Sequence, residues 1–382
     1  MKHLFRFSLL LLALLLPAAA AAHDFEVGGI YYNINGDEAT VTFRGTYTHS
    51  YSDEYTGDVT IPSTVTYGGI TYAVTAIGER AFLFCDEVTS VTIPNSVTSI
   101  GKDAFYACAG LTELTIPKSV TAIGDGVCVS CVNLTSLTVA SGNSHYDSRG
   151  NCNAIIETAS NTLIAGCQNS FIPRTVTAIG DEAFLNISSL RDIIIPNSVT
   201  SIGEWAFFGC SGLEEVTMGK RVITIDGHAF RDCYSLKSIT LPATVTTIGE
   251  WAFDECRSLT DVYSYITDLS KVSYGTYPFY LHGGNYSGRT LHVPQGTAGG
   301  YQADGNWRPY FGQIVDDLMP EDYPQGDVNH DNEVNITDVN AVIDIILGGN
   351  TYTPEADVNR DGEVNIADIN AIIDIILNGT GN

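Results

Sequence analysis

Apolar residues recur along most of this chain at a fixed interval. Phe82 and Phe105 stand 23 residues apart, and so do Phe184, Phe207, Phe230 and Phe253 in succession. Between them runs a second apolar phrase, L-x-x-L-x-I. It is read at Leu111, Leu114 and Ile116, at Leu190, Ile193 and Ile195, and at Leu236, Ile239 and Leu241. Its alternation with polar residues predicts a short strand with one buried face. Proline then ends the strand (Pro94, Pro117, Pro196, Pro242), because it cannot donate to a ladder. A second apolar piece follows, Val97 to Ile100, then Gly101 for a turn, then DAFYAC, which predicts one helical turn. A single unit cannot bury its own apolar face. Stacked units can, with Phe on Phe and Leu on Leu, so the pattern predicts a solenoid with a continuous core.

The period fails between Ala140 and Ile172. There NCNAIIETASNTLIAGCQN reads as strand, short turn, strand, and a two-residue turn at Ala159-Ser160 would set Cys152 opposite Cys167, a candidate disulfide. Both ends of a solenoid need covers. Residues 23–57 are rich in Tyr and Thr and carry the hairpin signal NINGDE, which predicts a β-rich N-terminal cap. RTLHVPQGTAGGYQADGNWRPYFGQI is expected to close the other end, and residues 313–326 read as a polar linker. The repeats proper span 58–312, with the insertion at about 140–171.

The last segment, 327–382, has another pattern. DVNHDNEVNITDVNAVIDIIL is followed thirty residues later by DVNRDGEVNIADINAIIDIIL. Each copy ends in an apolar helix face, Val339, Val342, Ile343, Ile346 and Ile369, Ile372, Ile373, Ile376, closed by Gly348 and Gly379. Each helix is preceded by an acidic loop. With Asp327 as position 1, Asn329, Asp331, Glu333, Asn335 and Asp338 fall at positions 3, 5, 7, 9 and 12. The second copy supplies Asp357, Asn359, Asp361, Glu363, Asn365 and Asp368. A hard cation such as Ca²⁺ takes six to eight oxygens, and a twelve-residue loop presents them at this spacing, with position 7 offering its carbonyl. Gly362 and Asn332 suit the sharp turn at position 6. Two ions, one per loop, are expected.

Charge narrows the function. The chain carries 18 basic and 44 acidic side chains, a formal charge of −26, which argues against nucleic-acid binding. From Asp327 onward there are eleven Asp or Glu and one Arg. The start reads as a cleaved export signal over residues 1–22: basic Lys2, His3 and Arg6, an apolar run Leu9–Leu16, then small residues to Ala22. That run is too short for a stable membrane span, and a secreted or cell-surface protein is expected. Nine cysteines would suggest disulfides in such a compartment. Yet Cys85, Cys108, Cys131, Cys210, Cys233 and Cys256 all lie three residues after the Phe slot, where Ile187 also stands. A slot that accepts Ile or Cys predicts a buried column of reduced thiols. The seven histidines after residue 22 are scattered, with no HExxH, GxSxG or phosphate-loop pattern, and no enzyme is expected.

The phrase IPxSVTxIGxxAFxxCxxL, carried almost letter for letter by SVTSIGKDAFYACAGLTELTIP, resembles the BspA-like leucine-rich repeat proteins of Gram-negative anaerobes. The departures are Asp226, where Gly is expected, and DGVCVSC, where the AF pair is missing. The resemblance implies a surface or secreted protein, adhesive in some members. The paired loop-helix segment resembles a type I dockerin, a small all-α domain. Position 12 is Asp rather than the Glu of ordinary EF-hands, and no apolar helix leads directly into either loop. That resemblance implies calcium in both loops and a cohesin partner, with Ile336, Thr337, Ile366 and Ala367, at loop positions 10 and 11, as recognition residues. The expected concave strands offer Glu113, Thr115, Ser136, Thr138, Glu215, Thr217, Ser238 and Thr240, a polar face suited to a protein or glycan ligand. The expectation is a non-catalytic exported binding protein docked by its calcium-bound end. The alternative is a passive spacer or surface coat whose only specific contact is the dockerin.

Overall fold

The computed structural model describes residues 23–44, 54–318, 326–329, 334–348, 356–359 and 363–378. The segment read as an export signal lies outside these residues.

Two parallel ladders run through the repeats. In the first, Glu113–Ile116 lies between Val88–Thr92 and Ser136–Val139, so that Val91, Leu114 and Leu137 are register partners. In the second, two-residue strands such as Ser201–Ile202, Thr224–Ile225 and Thr247–Ile248 align Ile on Ile. The 23-residue step of the sequence is therefore one step across each sheet. A third set of bonds joins the AFxxC turns. The N–H groups of Arg80, Phe82 and Phe84 donate to the carbonyls of Lys102, Ala104 and Tyr106 of the next repeat. The alternate N–H groups, of Ala81, Leu83 and Cys85, close local turns. Arg80 and Phe84 take positive φ to allow this alternation. Gly101 serves the stacking rather than a special φ: a Cβ there would lie 2.4 Å from the backbone nitrogen of Glu79.

Core phenylalanines stack along the axis. The rings of Phe184, Phe207, Phe230, Phe253 and Phe279 follow each other at 5.0 to 5.4 Å. A second, shorter stack pairs Phe82 with Phe105 at 5.1 Å; Tyr55 ends it, 4.6 Å from Phe82, and the buried Trp307 ends the longer one, 5.2 Å from Phe279. The cysteine column is buried and reduced, and all nine cysteines are free thiols. It is also a ladder: Cys108, Cys131, Cys210, Cys233 and Cys256 donate S–H to the carbonyls of Phe82, Phe105, Phe184, Phe207 and Phe230 at 3.0 to 3.2 Å. Burial pushes the thiols of Cys210 and Cys256 up to about 12.

The insertion folds as a hairpin, Ala154–Glu157 against Thr162–Gly166, and Thr162 then pairs with Ala178 to resume the solenoid. The pairing of Cys152 with Cys167 does not form. A bulge between Ile155 and Ile156 shifts the register by one residue, and a one-residue slip sends side chains to opposite faces. Cys152 joins the core running on to Phe311, whereas Cys167 joins the core running back to Phe25. The hairpin also explains the missing phenylalanine at Cys128. Its strand enters the core there, and Gly166 is so close to Phe184 that a Cβ would lie 2.1 Å from the ring.

The cap at 23–44 is the expected hairpin, with Asn35 paired to Glu38 across Gly36 at φ 67°. The expected linker begins late. Gln313–Leu318 is a strand paired in parallel with Thr290–Pro294, because alternate residues such as Ile314 still pack on the core. Arg289, 4% exposed, closes this end by donating to the carbonyls of Cys256, Leu259 and Phe279. A six-residue helix, α1 (Ala298–Ala303), places Tyr301 in the same cap. The acidic segment supplies α2 (Ile336–Ile346) and α3 (Ile366–Asn378), packed through Val339, Val342 and Ile372 with Val328, Ala356 and Val358.

Candidate functional sites

Each acidic loop is closed on its helix by one carboxylate. Asp338 accepts the N–H groups of Val328, Asn329 and Asn335 at 2.7, 3.0 and 2.9 Å. Asp368 accepts those of Asn359 and Asn365 at 3.0 and 2.9 Å. Asn335 and Asn365, read as position-9 ligands, use their side-chain oxygens to cap the helices, each accepting an N–H at 2.8 Å from Thr337 or Ala367. Asn329 donates through Nδ2 to the hydroxyl of Thr337 at 2.6 Å. Asp331, Glu333 and Asp361 lie outside the described residues. Asp357, Asn359 and Glu363 sit at their expected places along the second loop, half-buried or exposed.

The donor set fits a hard cation. Asp338 and Asp368 are both 0% exposed, in a segment with eleven acids and one arginine. Gathering carboxylates in one loop sets like charges against each other. An all-oxygen loop is where a divalent ion offsets that repulsion. At position 10 of each loop, where the helix begins, an isoleucine projects into solvent: Ile336 is 64% exposed and Ile366 71%. Thr337 beside the first is exposed and Ala367 beside the second is half-buried.

The eight strand residues of the expected ligand face lie on the solvent side of the first ladder, which is divided into three successive sheets. Glu113 is the register partner of Ser136, and Thr115 of Thr138, with their hydroxyls 3.0 Å apart. Glu215 and Thr217 pair with Asp192 and Ile194, and Ser238 and Thr240 with Asp261 and Tyr263. Two columns therefore run along the solenoid, one of carboxylates and hydroxyls, one mainly of threonines. Other threonines have a purely structural duty. Thr98, Thr121 and Thr200 donate their hydroxyls to the carbonyl of the residue one repeat back, as do Thr112 and Thr135. Much of the Thr-rich composition is explained by these bonds. At the C-terminal end of the face stands a group the repeat period did not reveal. His292 stacks on Tyr263 at 4.5 Å, and its two ring nitrogens lie 2.8 Å from Asp317 and 3.2 Å from Asp261. His292 follows Tyr263 by 29 residues rather than 23, which hid it.

Trp205 and Trp251, in one slot of the turn ridge, are half-buried. The ring of Trp205 lies parallel to that of His228 at 4.3 Å, so its face is engaged within the chain.

Comparison with known proteins agrees with both halves. The family model for the BspA type leucine rich repeat region matches residues 58–162 and 164–280 in six copies. The model for the dockerin type I domain matches residues 325–377. Similar solved structures include a leucine rich cell surface protein from Faecalibacterium prausnitzii, 22% identical, with TM-score 0.42, covering 66% of this chain and 94% of that one. The pneumococcal vaccine antigen PcpA is 16% identical with TM-score 0.49, covering 78% and 99%. A leucine-rich repeat protein from Bacteroides ovatus is 22% identical with TM-score 0.29, covering 77% and 100%. The comparison with curated proteins gave no match.

Proposed function

Because this chain belongs to the BspA type leucine rich repeat family and carries a dockerin type I domain, we propose that it is a non-catalytic exported binding protein, docked onto a cohesin-bearing partner through calcium. Both component families serve protein interaction and are typically extracellular or on the cell surface. Among the described residues, no helix is long and apolar enough to cross a membrane.

The observation that carries the reading is the repeated pairing of a buried loop carboxylate with an exposed isoleucine. Asp338 and Asp368 are fully enclosed, and Ile336 and Ile366 stand out from the adjoining first helical turns. One ion in each loop would hold Asp327, Asn329, Asp331 and Asp338, or Asp357, Asn359, Asp361 and Asp368, with the carbonyls of Glu333 and Glu363. The ion supplies positive charge to the loop and no other chemistry. The chain then fixes each helix start, and with it the apolar side chain offered to a partner. Near-identical halves present this surface twice.

The solenoid's solvent-side columns are the ligand face, with Glu113, Thr115, Ser136, Thr138, Glu215, Thr217, Ser238 and Thr240 as contacts for a protein or glycan. Capture experiments with the full chain and with a chain ending at residue 318 separate the two functions. A ligand kept by both belongs to the solenoid. A partner kept only by the full chain, in calcium, belongs to the dockerin. The mutual hydrogen bond of Thr115 and Thr138 favours a second reading, a passive spacer, and a truncated chain that retains no ligand would establish it.

A further inference from the structure

The residue two before each Phe slot adopts a left-handed backbone throughout the repeats. Asp103, Gly126, Glu182, Trp205, His228 and Trp251 have φ between 54° and 65°. Such a backbone suits glycine and strains bulky side chains. Earlier repeats fill the slot with small or polar residues, so stacking does not call for tryptophan. Later repeats nonetheless place Trp205 and Trp251 there, with His228 between. The slot beside it, one after each core phenylalanine, carries Phe208, Arg231 and Asp254.

These side chains form one strip. The Arg231 guanidinium lies 5.8 Å from the ring centre of Phe208 and 5.5 Å from that of Trp251. Tyr277 and Tyr280 meet Trp251 edge-on at 5.3 and 5.6 Å. Trp205, Phe208 and Trp251 are half-buried and Tyr277 is 49% exposed, so ring edges line an open ridge. Exposed carboxylates flank it at Glu204 and Glu250, and Glu204 accepts the indole N–H of Trp205 at 2.7 Å. Asp226 is crowded as well: burial and the charges of Asp181 and Glu204 push its carboxyl up. Asp254 is 1% exposed. One of its oxygens lies 2.9 Å from Arg231 Nε and the other has no hydrogen-bond partner. The strip thus already holds one planar cation between aromatic rings, beside carboxylates that this single cation does not neutralise.

We propose that this ridge is a docking strip for a basic segment of a partner protein. Arginine or lysine side chains would extend the arrangement that Arg231 begins, by charge with the exposed Glu204 and Glu250 and by laying their apolar stems along the ring edges. Trp, Tyr and Arg are the residues on which protein interfaces most depend. A sugar platform fits less well, since the ring faces of Trp205 and Trp251 are covered by His228 and Arg231. The strip is distinct from both the strand face and the acidic loops.

The test titrates the full chain with an eight-residue oligo-arginine peptide, with octaglutamate as control. Of the three tryptophans, Trp307 is fully buried, so intrinsic fluorescence reports on Trp205 and Trp251. The expected result is saturable binding by calorimetry with a matching fluorescence change. The double variant Trp205→Gly with Trp251→Gly keeps every charge and installs the residue that position 126 already carries. It should weaken binding tenfold or more with an unaltered circular dichroism spectrum. Asp316→Asn with Asp317→Asn, acids elsewhere on the solenoid, should change it less than twofold. No binding, or binding within twofold of wild type in the tryptophan variant, or saturation without a fluorescence change, would overturn the proposal.

Discussion

The carboxylate of Asp338, in the first turn of its helix, accepts the backbone N–H of Val328 at 2.7 Å, ten residues back along the chain. It reaches Asn329 and Asn335 as well, so one buried acid ties the start, the end and the helix of the loop together. Two carboxylates 4 Å apart repel by about 4 kcal/mol at an effective dielectric near 20. A loop that gathers several acids is therefore held against its own charge, and a bound cation becomes part of the folding free energy.

Calcium removal should accordingly loosen α2 and α3 while leaving the solenoid intact. Asp327→Ala with Asp357→Ala should abolish the calcium-dependent gain of helical signal. The check is a calcium titration by circular dichroism on wild type and double variant. An equal gain in both would refute coupling through these loops.

Nine cysteines should all titrate as thiols. The unfolded chain should react with nine equivalents of a thiol reagent, and the native chain with almost none, because burial raises the thiols and shields them. Seven equivalents in the unfolded, unreduced chain would reveal a disulfide and contradict the bulged register that separates Cys152 from Cys167.

Stability should rise as the medium is acidified from pH 7 towards pH 5, in part through Asp254. Burial pushes its carboxyl up to about 6, against an opposing pull from Arg231. An unfolded aspartate titrates near 3.9. The folded state therefore holds the proton at pH values where the unfolded chain has released it. Its stabilising contribution is full below about 4 and is lost as pH climbs through 6. Urea midpoints at pH 5 and 7 should differ less in Asp254→Asn than in wild type. Equal differences would remove Asp254 from the account.

Cys128→Phe restores the repeat pattern and should still destabilise the chain. The hairpin strand already occupies the space, and overfilling a core costs about 1–3 kcal/mol. Gly166→Ala should do the same, since its methyl would meet the Phe184 ring. A urea midpoint unchanged in both variants would show that the hairpin does not fill the Phe slot.

What could be read from residues alone was whatever repeated. Phe82 against Phe105 and Leu114 against Leu137 revealed the stacking, because a solenoid makes sequence period and spatial neighbour the same thing. The loop spacing from Asp327 to Asp338 was legible because coordination imposes fixed offsets. Features without a period stayed hidden. Arg289 caps three carbonyls that only the finished end of the solenoid brings together. The strand Gln313–Leu318 follows a proline-containing cap and carries acids on its exposed side, so it read as linker. The bulge at Ile155 cannot be inferred from an alternating pattern, and it alone decides where Cys152 points.

The most direct test is capture from secreted and envelope proteins of the source cell, with the full chain as bait, in calcium and in chelator, beside a chain ending at residue 318. The account predicts a partner retained by the full chain in calcium and lost with chelator or truncation. Identical retained sets under all conditions would contradict a calcium-locked docking domain.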